Sequence, residues 1–314
     1  MKILFVRFSS LGDIILTTGV MNYLKQQHPE AEIDVFTYTQ FKEVFHNLPF
    51  VNRVITHSKS KGIIDFFNII QKETDEYDYI FDLHGKVKSK FLKFHTQAEF
   101  FSYKKDSKAR RDFVKKRKEN DRLNIHVVEK YFEPVAEAFN IEMPDAEKLR
   151  PILSSDVPVN EKHVFIHPFA SKMTKSYPMA EELAIELMEK GFTPVFGGDG
   201  DAPKLNGIID KTGKTSLRNL FDTISSCEYA VSTDSGPLHA AYALNKPTVA
   251  LFGSTTRHFG FYPDFRNVSV LEDNSLECRP CHIHGLDSCP RHHFQCMHSL
   301  LPSMIADMLA HPQG

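Results

Sequence analysis

Along the chain, short unbroken apolar runs alternate with longer stretches in which apolar residues recur every three or four positions, the pattern of buried parallel strands joined by helices. Ile3 to Phe8 is the first run. A polar turn follows it, Ser9-Ser10-Leu11-Gly12-Asp13, and then a helical spacing through Ile14, Ile15, Val20, Met21 and Leu24. Further strands are expected at Ile33-Asp34-Val35-Phe36, after His28-Pro29-Glu30, and at Tyr79-Ile80-Phe81-Asp82-Leu83. Helical spacing returns from Val127 to Phe139. Pro144, Pro151 and Pro158 then punctuate a stretch of weak periodicity that suits a linker between domains.

A second series begins at His163-Val164-Phe165-Ile166-His167 and continues with a helix from Ala180 to Lys190, a strand from Thr193 to Phe196 and a helix from Leu217 to Ser225. Glu228 to Val231 reads as a short buried strand, Ser232 to Gly236 as a polar turn, and Leu238 to Leu244 as a helix. Pro237 stands at the first position of that helix, where a missing N–H costs nothing. Thr248 to Gly253 closes the series. The repeated strand-helix-strand order predicts an α/β protein with parallel sheets. At 314 residues it is comfortable for two domains, 1–155 and 156–298. A last helix from about Ser299 to Leu309, within 299–314, is expected to cross back to the first domain.

Composition changes this picture only locally. Hydrophobic residues at 41% and charged residues at 25% suit an ordinary globular protein, and a net charge of −2 gives no overall bias toward nucleic acid. The N-terminal apolar run is too short for a signal peptide or membrane helix and is interrupted by Arg7, so a cytoplasmic protein is expected. Lys104 to Lys118 carries nine Lys or Arg against Asp106 and Asp112. Such a block reads as a solvated, mobile loop, or as a surface for acceptor phosphates or an anionic membrane; no aromatic stacking pattern argues for nucleic acid. Cys278, Cys281, Cys289 and Cys296 form a C-x2-C-x7-C-x6-C series with His282, His284, His292 and His293 among them. Free thiols or one structural zinc fit a reducing compartment better than disulfides do, and four filled positions would leave none for a catalytic metal.

The candidate chemistry lies in the turns after the strands. At Asp234-Ser235-Gly236, the unpaired amides of the following helix would face an anion, Ser235 would add a hydroxyl and Gly236 would allow close approach. Asp13 is either a helix cap or a general base in the crevice beyond the first strand, and the turn lacks the G-x-G-x-x-G of a nicotinamide dinucleotide site. Lys175, in Lys175-Ser176-Tyr177-Pro178, could reach the same ligand space as Ser235. Gly197-Gly198-Asp199 lines a nucleotide or is a plain turn. Gly213-Lys214-Thr215-Ser216 is not a P-loop, because Ile208 stands where a glycine is needed; Thr215 or Ser216 caps the next helix instead.

Taken in order, these motifs resemble glycosyltransferase family 9, the ADP-heptose:lipopolysaccharide heptosyltransferases. The matching pieces are Arg7 to Thr18, Asp82-Leu83-His84-Gly85, Lys175 to Pro178, Gly197 to Asp199, Thr212 to Leu217, Asp234 to His239 and Lys246 to Gly253, spanning about Met1 to Gly253. The resemblance implies a GT-B architecture of two Rossmann-like domains facing across a cleft, with the acceptor held by the N-terminal domain and the nucleotide sugar by the C-terminal one. It implies inverting, metal-independent transfer of a heptose or related sugar from an ADP-sugar to a lipopolysaccharide core or similar glycan, with no cofactor. Asp13 takes the position of the general base, and Lys175 that of the lysine that neutralises the donor diphosphate. Ser10, Gly12, Ser176, Gly198 and Asp199 fall at donor-binding positions, as do Asp234, Ser235, Gly236 and His239. Tyr177 stands where the family often has Trp. The acceptor class implies a cytoplasmic protein peripheral to the inner face of the inner membrane, and the charge of Lys104 to Lys118, which maps onto no family motif, offers a contact for it.

Overall fold

The computed structural model describes residues 1–74, 76–213 and 215–311. Lys214 of the Gly213 turn and the end of the expected last helix, 312–314, lie outside them. The chain divides into two compact units, Met1–Asp106 with Ile125–Ser154, and Ser107–Asn124 with Ser155–Gly314.

In the first unit the elements run β1 (Lys2–Val6), α1 (Leu11–Gln27), β2 (Glu32–Tyr38), β3 (Arg53–His57), α2 (Gly62–Glu73), β4 (Tyr79–Asp82), α3 (Val87–Lys90) and β5 (Glu99–Ser102). After α4 (Ser107–Lys116), which belongs to the second unit, α5 (Val127–Phe139) packs back on α1. Among the described residues the strands form one parallel sheet in the order β3-β2-β1-β4-β5. Its centre is β1, where Ile3, Leu4, Phe5 and Val6 are all fully buried. A parallel strand covered on both faces needs this unbroken apolar run.

The second unit contains β6 (Asn160–His167), α6 (Ala180–Glu189), β7 (Thr193–Gly198), β8 (Ile209–Thr212), α7 (Leu217–Ser226), β9 (Cys227–Thr233), α8 (Gly236–Ala243), β10 (Thr248–Phe252), β11 (Val268–Glu272), α9 (Gln295–His298) and α10 (Pro302–Ala310). Its parallel sheet has the order β11-β10-β9-β6-β7-β8. Both orders are those of doubly wound, Rossmann-like sheets. No helix among the described residues is long and apolar enough to cross a membrane.

Two expectations are revised. Among the described residues the last helix lies within the second unit. The Ile305, Ala306 and Leu309 stripe of α10 joins one core with Leu183, Ala184 and Leu187 of α6, and Lys190 pairs with Asp307 at 2.8 Å. The basic run is not a solvated loop, because it contains α4 and buries Phe113 with Leu123 and Phe259, backed by Ala109 and Val114. The i, i+4 spacing of Ala109 and Phe113 gives an otherwise charged helix one apolar edge. Arg117 also donates to the carbonyls of Pro280 and Glu277, each at 3.0 Å.

Candidate active site

In open α/β sheets ligands bind beyond the carboxyl ends of the strands, where the strand order reverses. That point lies between β1 and β4 in the first sheet and between β6 and β9 in the second. The turns that carry Asp13, Asp82, Lys175 and Asp234 leave these four strands, whereas Gly197 to Asp199 ends β7.

In the first unit, Ser10 caps α1 and Asp13 is its third helical residue, so the carboxylate folds back on its own turn. Asp13 Oδ2 accepts from the Ser10 amide at 2.8 Å and the Ser10 hydroxyl at 2.7 Å. Asp13 Oδ1 accepts from the Tyr131 hydroxyl at 2.6 Å and lies 2.7 Å from an Arg7 guanidinium nitrogen. Arg7 is itself fixed by the carbonyls of Ser9, at 2.8 Å, and Leu83. Burial alone would raise the Asp13 pKa. The Arg7 charge, then the Tyr131 and Ser10 hydrogen bonds, overcome this and hold the carboxyl well below the ordinary carboxylate range. Asp13 is therefore both a helix-capping residue and an ionised group, with 14% of its side chain still open to solvent.

The β4 turn completes this end of the sheet. Asp82 accepts from the amides of His84 and Gly85, both at 3.0 Å, and from the Ser89 hydroxyl at 2.9 Å, which shapes the loop that presents His84. Burial, with Arg7, Lys105 and Lys86 nearby, lowers the His84 pKa to about 3, so its ring is neutral at pH 7. Burial of its ammonium end, reinforced by Arg7 and Lys86, lowers Lys105 to about 8. The Asp13 carboxylate thus lies in a field set by several cations, which suits an anionic ligand.

In the second unit the chain leaves β9 through Asp234 and enters α8 at Gly236 with Pro237 in its first turn. The Ser235 hydroxyl donates to the Thr233 carbonyl at 3.1 Å and does not cap the helix, so the first-turn amides stay available to an anion. Lys175 Nζ sits 2.9 Å from Asp234 Oδ2, and the Thr255 hydroxyl donates to the same oxygen at 2.8 Å. Burial would raise the Asp234 pKa, but Lys175 and Thr255 keep it below its ordinary value. Asp234 therefore anchors the lysine beside the turn. His239, within α8, is buried with its ring bonded to the Tyr242 hydroxyl.

The remaining candidates divide by role. Ser176 accepts from the Ala170 amide at 3.1 Å, and the Tyr177 amide donates to the Pro168 carbonyl at 2.7 Å, closing the loop that carries Lys175. Tyr177 is core, its hydroxyl donating to the Leu300 carbonyl at 2.6 Å. Gly198 has φ +91, and a Cβ there would come within 2.5 Å of His167 Nδ1, which donates to the Gly197 carbonyl at 2.9 Å. Asp199 follows it, exposed. Ser10 and Gly12 lie on the Asp13 turn of the first unit, whereas Ser176, Gly198, Asp199, Asp234, Ser235, Gly236 and His239 lie in the second.

Sequence reasoning missed several supports. Tyr131 comes from α5, 118 residues beyond Asp13, and only its place in a helical apolar pattern was visible. The Cys- and His-rich segment also supports the lysine turn: Leu286 donates to the Thr174 hydroxyl at 2.7 Å and accepts from the Thr174 amide at 3.0 Å. Gly285, at φ +80, packs so close that a Cβ would lie 2.9 Å from Lys175 Cγ. Arg279, between the first two cysteines of the series, is buried. It donates to the carbonyls of Phe252, Gly253, Asp273 and Thr255 and pairs with Glu272 at 2.7 Å. It thereby fixes Thr255, the partner of Asp234. Among the described residues no three His, Cys, Asp or Glu side chains are gathered for a metal ion, and Cys278 Sγ stands 4.0 Å from His293 Nε2.

The model of glycosyltransferase family 9 (heptosyltransferase) matches residues 70–282. The chain is 29% identical over 312 residues to lipopolysaccharide heptosyltransferase 1 of Campylobacter coli, covering 88% of this chain and 89% of that protein. Among solved structures, the glycosyl transferase family 9 protein from Veillonella parvula DSM 2008 matches with a TM-score of 0.74 at 18% identity, covering 98% of this chain and 96% of that one. E. coli heptosyltransferase WaaC with ADP matches with a TM-score of 0.71 at 19% identity, covering 98% and 99%. The two doubly wound sheets, the motif turns at their switch points and a family match over more than half of the residues lead to one conclusion: the chain belongs to glycosyltransferase family 9, the heptosyltransferases.

Proposed function

We propose that this protein transfers a heptose, or a related sugar, from ADP-heptose to a lipopolysaccharide core or similar glycan, with inversion and without a catalytic metal. The first unit takes the acceptor and the second the donor. The carrying observation is the pair of switch-point turns: an ionised, fixed carboxylate at one, and a lysine anchored beside open helix amides at the other. The ADP held by the E. coli relative and the name of the Campylobacter coli relative support the donor and acceptor classes.

In this reading Asp13 takes the proton of the acceptor hydroxyl as its oxygen bonds to the anomeric carbon. The bond from that carbon to the diphosphate oxygen breaks, and the electron pair leaves with ADP. Lys175 and the first-turn amides of α8 stabilise the negative charge that develops there. Serine and glycine in the α8 turn keep the backbone accessible to the phosphates, while Gly198 and Asp199 offer a second edge for the nucleotide. The donors on Asp13 keep it ionised throughout the physiological range but weaken it as a base, so an acceptor hydroxyl that displaces the Ser10 or Tyr131 donor would raise its basicity at the moment of use.

The protein would work at the cytoplasmic face of the inner membrane. The exposed Lys104, Lys108, Lys115, Lys116 and Lys118 would attract the phosphates of the acceptor or of the lipid surface. The test is to incubate the purified protein and its Asp13→Ala variant with ADP-heptose and a deacylated core acceptor, following product by mass spectrometry. A heptose added by the wild type and not by the variant is the expected result; donor binding without transfer to any core acceptor would reject the acceptor class.

A further inference from the structure

The first unit carries an apolar surface that its own core does not use. α2 buries Phe66 and Ile70 completely, yet Ile63 is 50% and Ile64 73% exposed. In α3 and the 3-10 turn Phe91–Phe94 that continues it, Val87 is 76% exposed, Phe91 40% and Phe94 78%. These two stretches meet, because the Phe67 ring of α2 lies 5.6 Å from Phe91 and 6.0 Å from His95. Five of the eleven exposed large hydrophobic side chains among the described residues belong to these two adjoining stretches.

The rim of this face has one sign. Lys59, Lys61, Lys86, Lys90 and Lys93 are exposed around it, and Lys88 turns inward, 4.1 Å over the Phe66 ring. Lys86 to His95 contains no carboxylate. The carboxylates of α2 are engaged elsewhere, Asp65 with His57 at 3.1 Å and Glu73 with Arg53 at 2.8 Å. A second copy of the chain docked here by a two-fold axis would bring lysine rim against lysine rim. A partner that accepts inserted isoleucine and phenylalanine side chains and neutralises a ring of ammonium groups is an anionic bilayer, whose headgroups lie at the depth of the lysines and whose acyl boundary lies at the depth of the apolar tips.

We propose that this α2–α3 face is a membrane-docking surface that inserts Ile63, Ile64, Val87, Phe91 and Phe94 into the interface of an anionic bilayer. It differs from the basic run of α4, whose phenylalanine is buried and which offers charge without insertion. Stable attachment takes two signals, and the α2–α3 face supplies both. Val87 stands three residues beyond His84, so docking brings the His84 loop, at the Asp13 end of the first sheet, near the lipid. Its use for a lipid-anchored acceptor rests on the function proposed above. Vesicle binding does not, so the two readings fail separately.

The experiment is co-sedimentation of the full chain with vesicles of phosphatidylcholine alone and with about one-third phosphatidylglycerol, across a salt series. The variants are Ile64→Ser/Val87→Ser/Phe94→Ser, Lys90→Gln/Lys93→Gln, and Lys115→Gln/Lys116→Gln/Lys118→Gln as a comparison. The wild type is expected to bind the anionic vesicles far better than the neutral ones. The apolar triple variant should lose at least about tenfold in affinity while keeping its unfolding midpoint, and the Lys90/Lys93 variant should flatten the salt dependence. Wild type that ignores both vesicles, a triple variant that binds like wild type, binding abolished by the α4 variant alone, or a wild-type dimer that the triple variant dissolves would each overturn the proposal.

Discussion

The two switch-point turns use the same pair of charges in opposite ways. In the first unit the arginine is the fixture: Arg7 is held by two carbonyls and in turn holds Asp13, whose remaining partners are Ser10 and Tyr131. In the second the carboxylate is the fixture, with Asp234 tied by Thr255 and holding Lys175. Each arrangement leaves one group of the pair suited to a ligand, a carboxylate where a proton must be accepted and an ammonium where negative charge must be met. The lesson is that a buried ion pair can position a reacting group without a net gain in stability, since desolvation offsets much of the attraction.

The comparison breaks most sharply at Asp13. Asp13→Asn keeps the shape and removes the base, so kcat for heptose transfer should fall by roughly 10²–10⁴, while ADP affinity measured by calorimetry stays unchanged; equal loss of both would mean that Asp13 serves the donor. Next is the fixture of the second turn. Arg279→Met leaves Glu272 without its ion-pair partner and several carbonyls without a donor, and should cost about 3–5 kcal/mol of stability in urea unfolding, with ADP binding weakened as Thr255 shifts. Lys175→Ala should weaken ADP about 10–100-fold, as expected for a lost charge-assisted contact. Asp234→Asn should have the smaller effect, because the ammonium remains and only its anchor is gone; an equal or larger loss would show that Asp234 itself touches the donor.

The smallest effect sharpens the first turn. Tyr131 is one of the donors that depress the Asp13 pKa, so Tyr131→Phe raises it. A base must be deprotonated to act, and the acid limb of kcat/KM should therefore move to higher pH, by about one unit for one hydrogen bond lost. A limb that stays in place would mean that a different group controls it.

Much of the second unit was legible because its central strands and helices carry unbroken apolar runs or clean helical spacing. Ala180 to Lys190 and Leu217 to Ser225 fall within a residue of α6 and α7. All four edge strands, β3, β5, β8 and β11, escaped, since each is partly exposed and mixes polar with apolar residues as an edge must. The basic run was misread because charge dominates it and a single buried phenylalanine fixes it as a helix. The turn of Asp13 was visible as a motif, and so was the Asp234 turn. That Asp234 would bind Lys175, or that Arg279 in a cysteine-rich segment would support them both, was not.

By itself the sequence determined the α/β class, the two series of strands and helices, the turns that carry the chemistry and, through their order, the family. These are local or sequential properties: periodicity selects the element, and glycine, proline and serine mark where it ends. Only the tertiary structure decided which charge pairs with which, that Tyr131 reaches Asp13 across 118 residues, that the last helix packs on α6, and that α2 meets the segment after α3 through Phe67, Phe91 and His95. Burial and distance set these outcomes, and both depend on how the strands are ordered in the sheet, which no stretch of the chain encodes by itself.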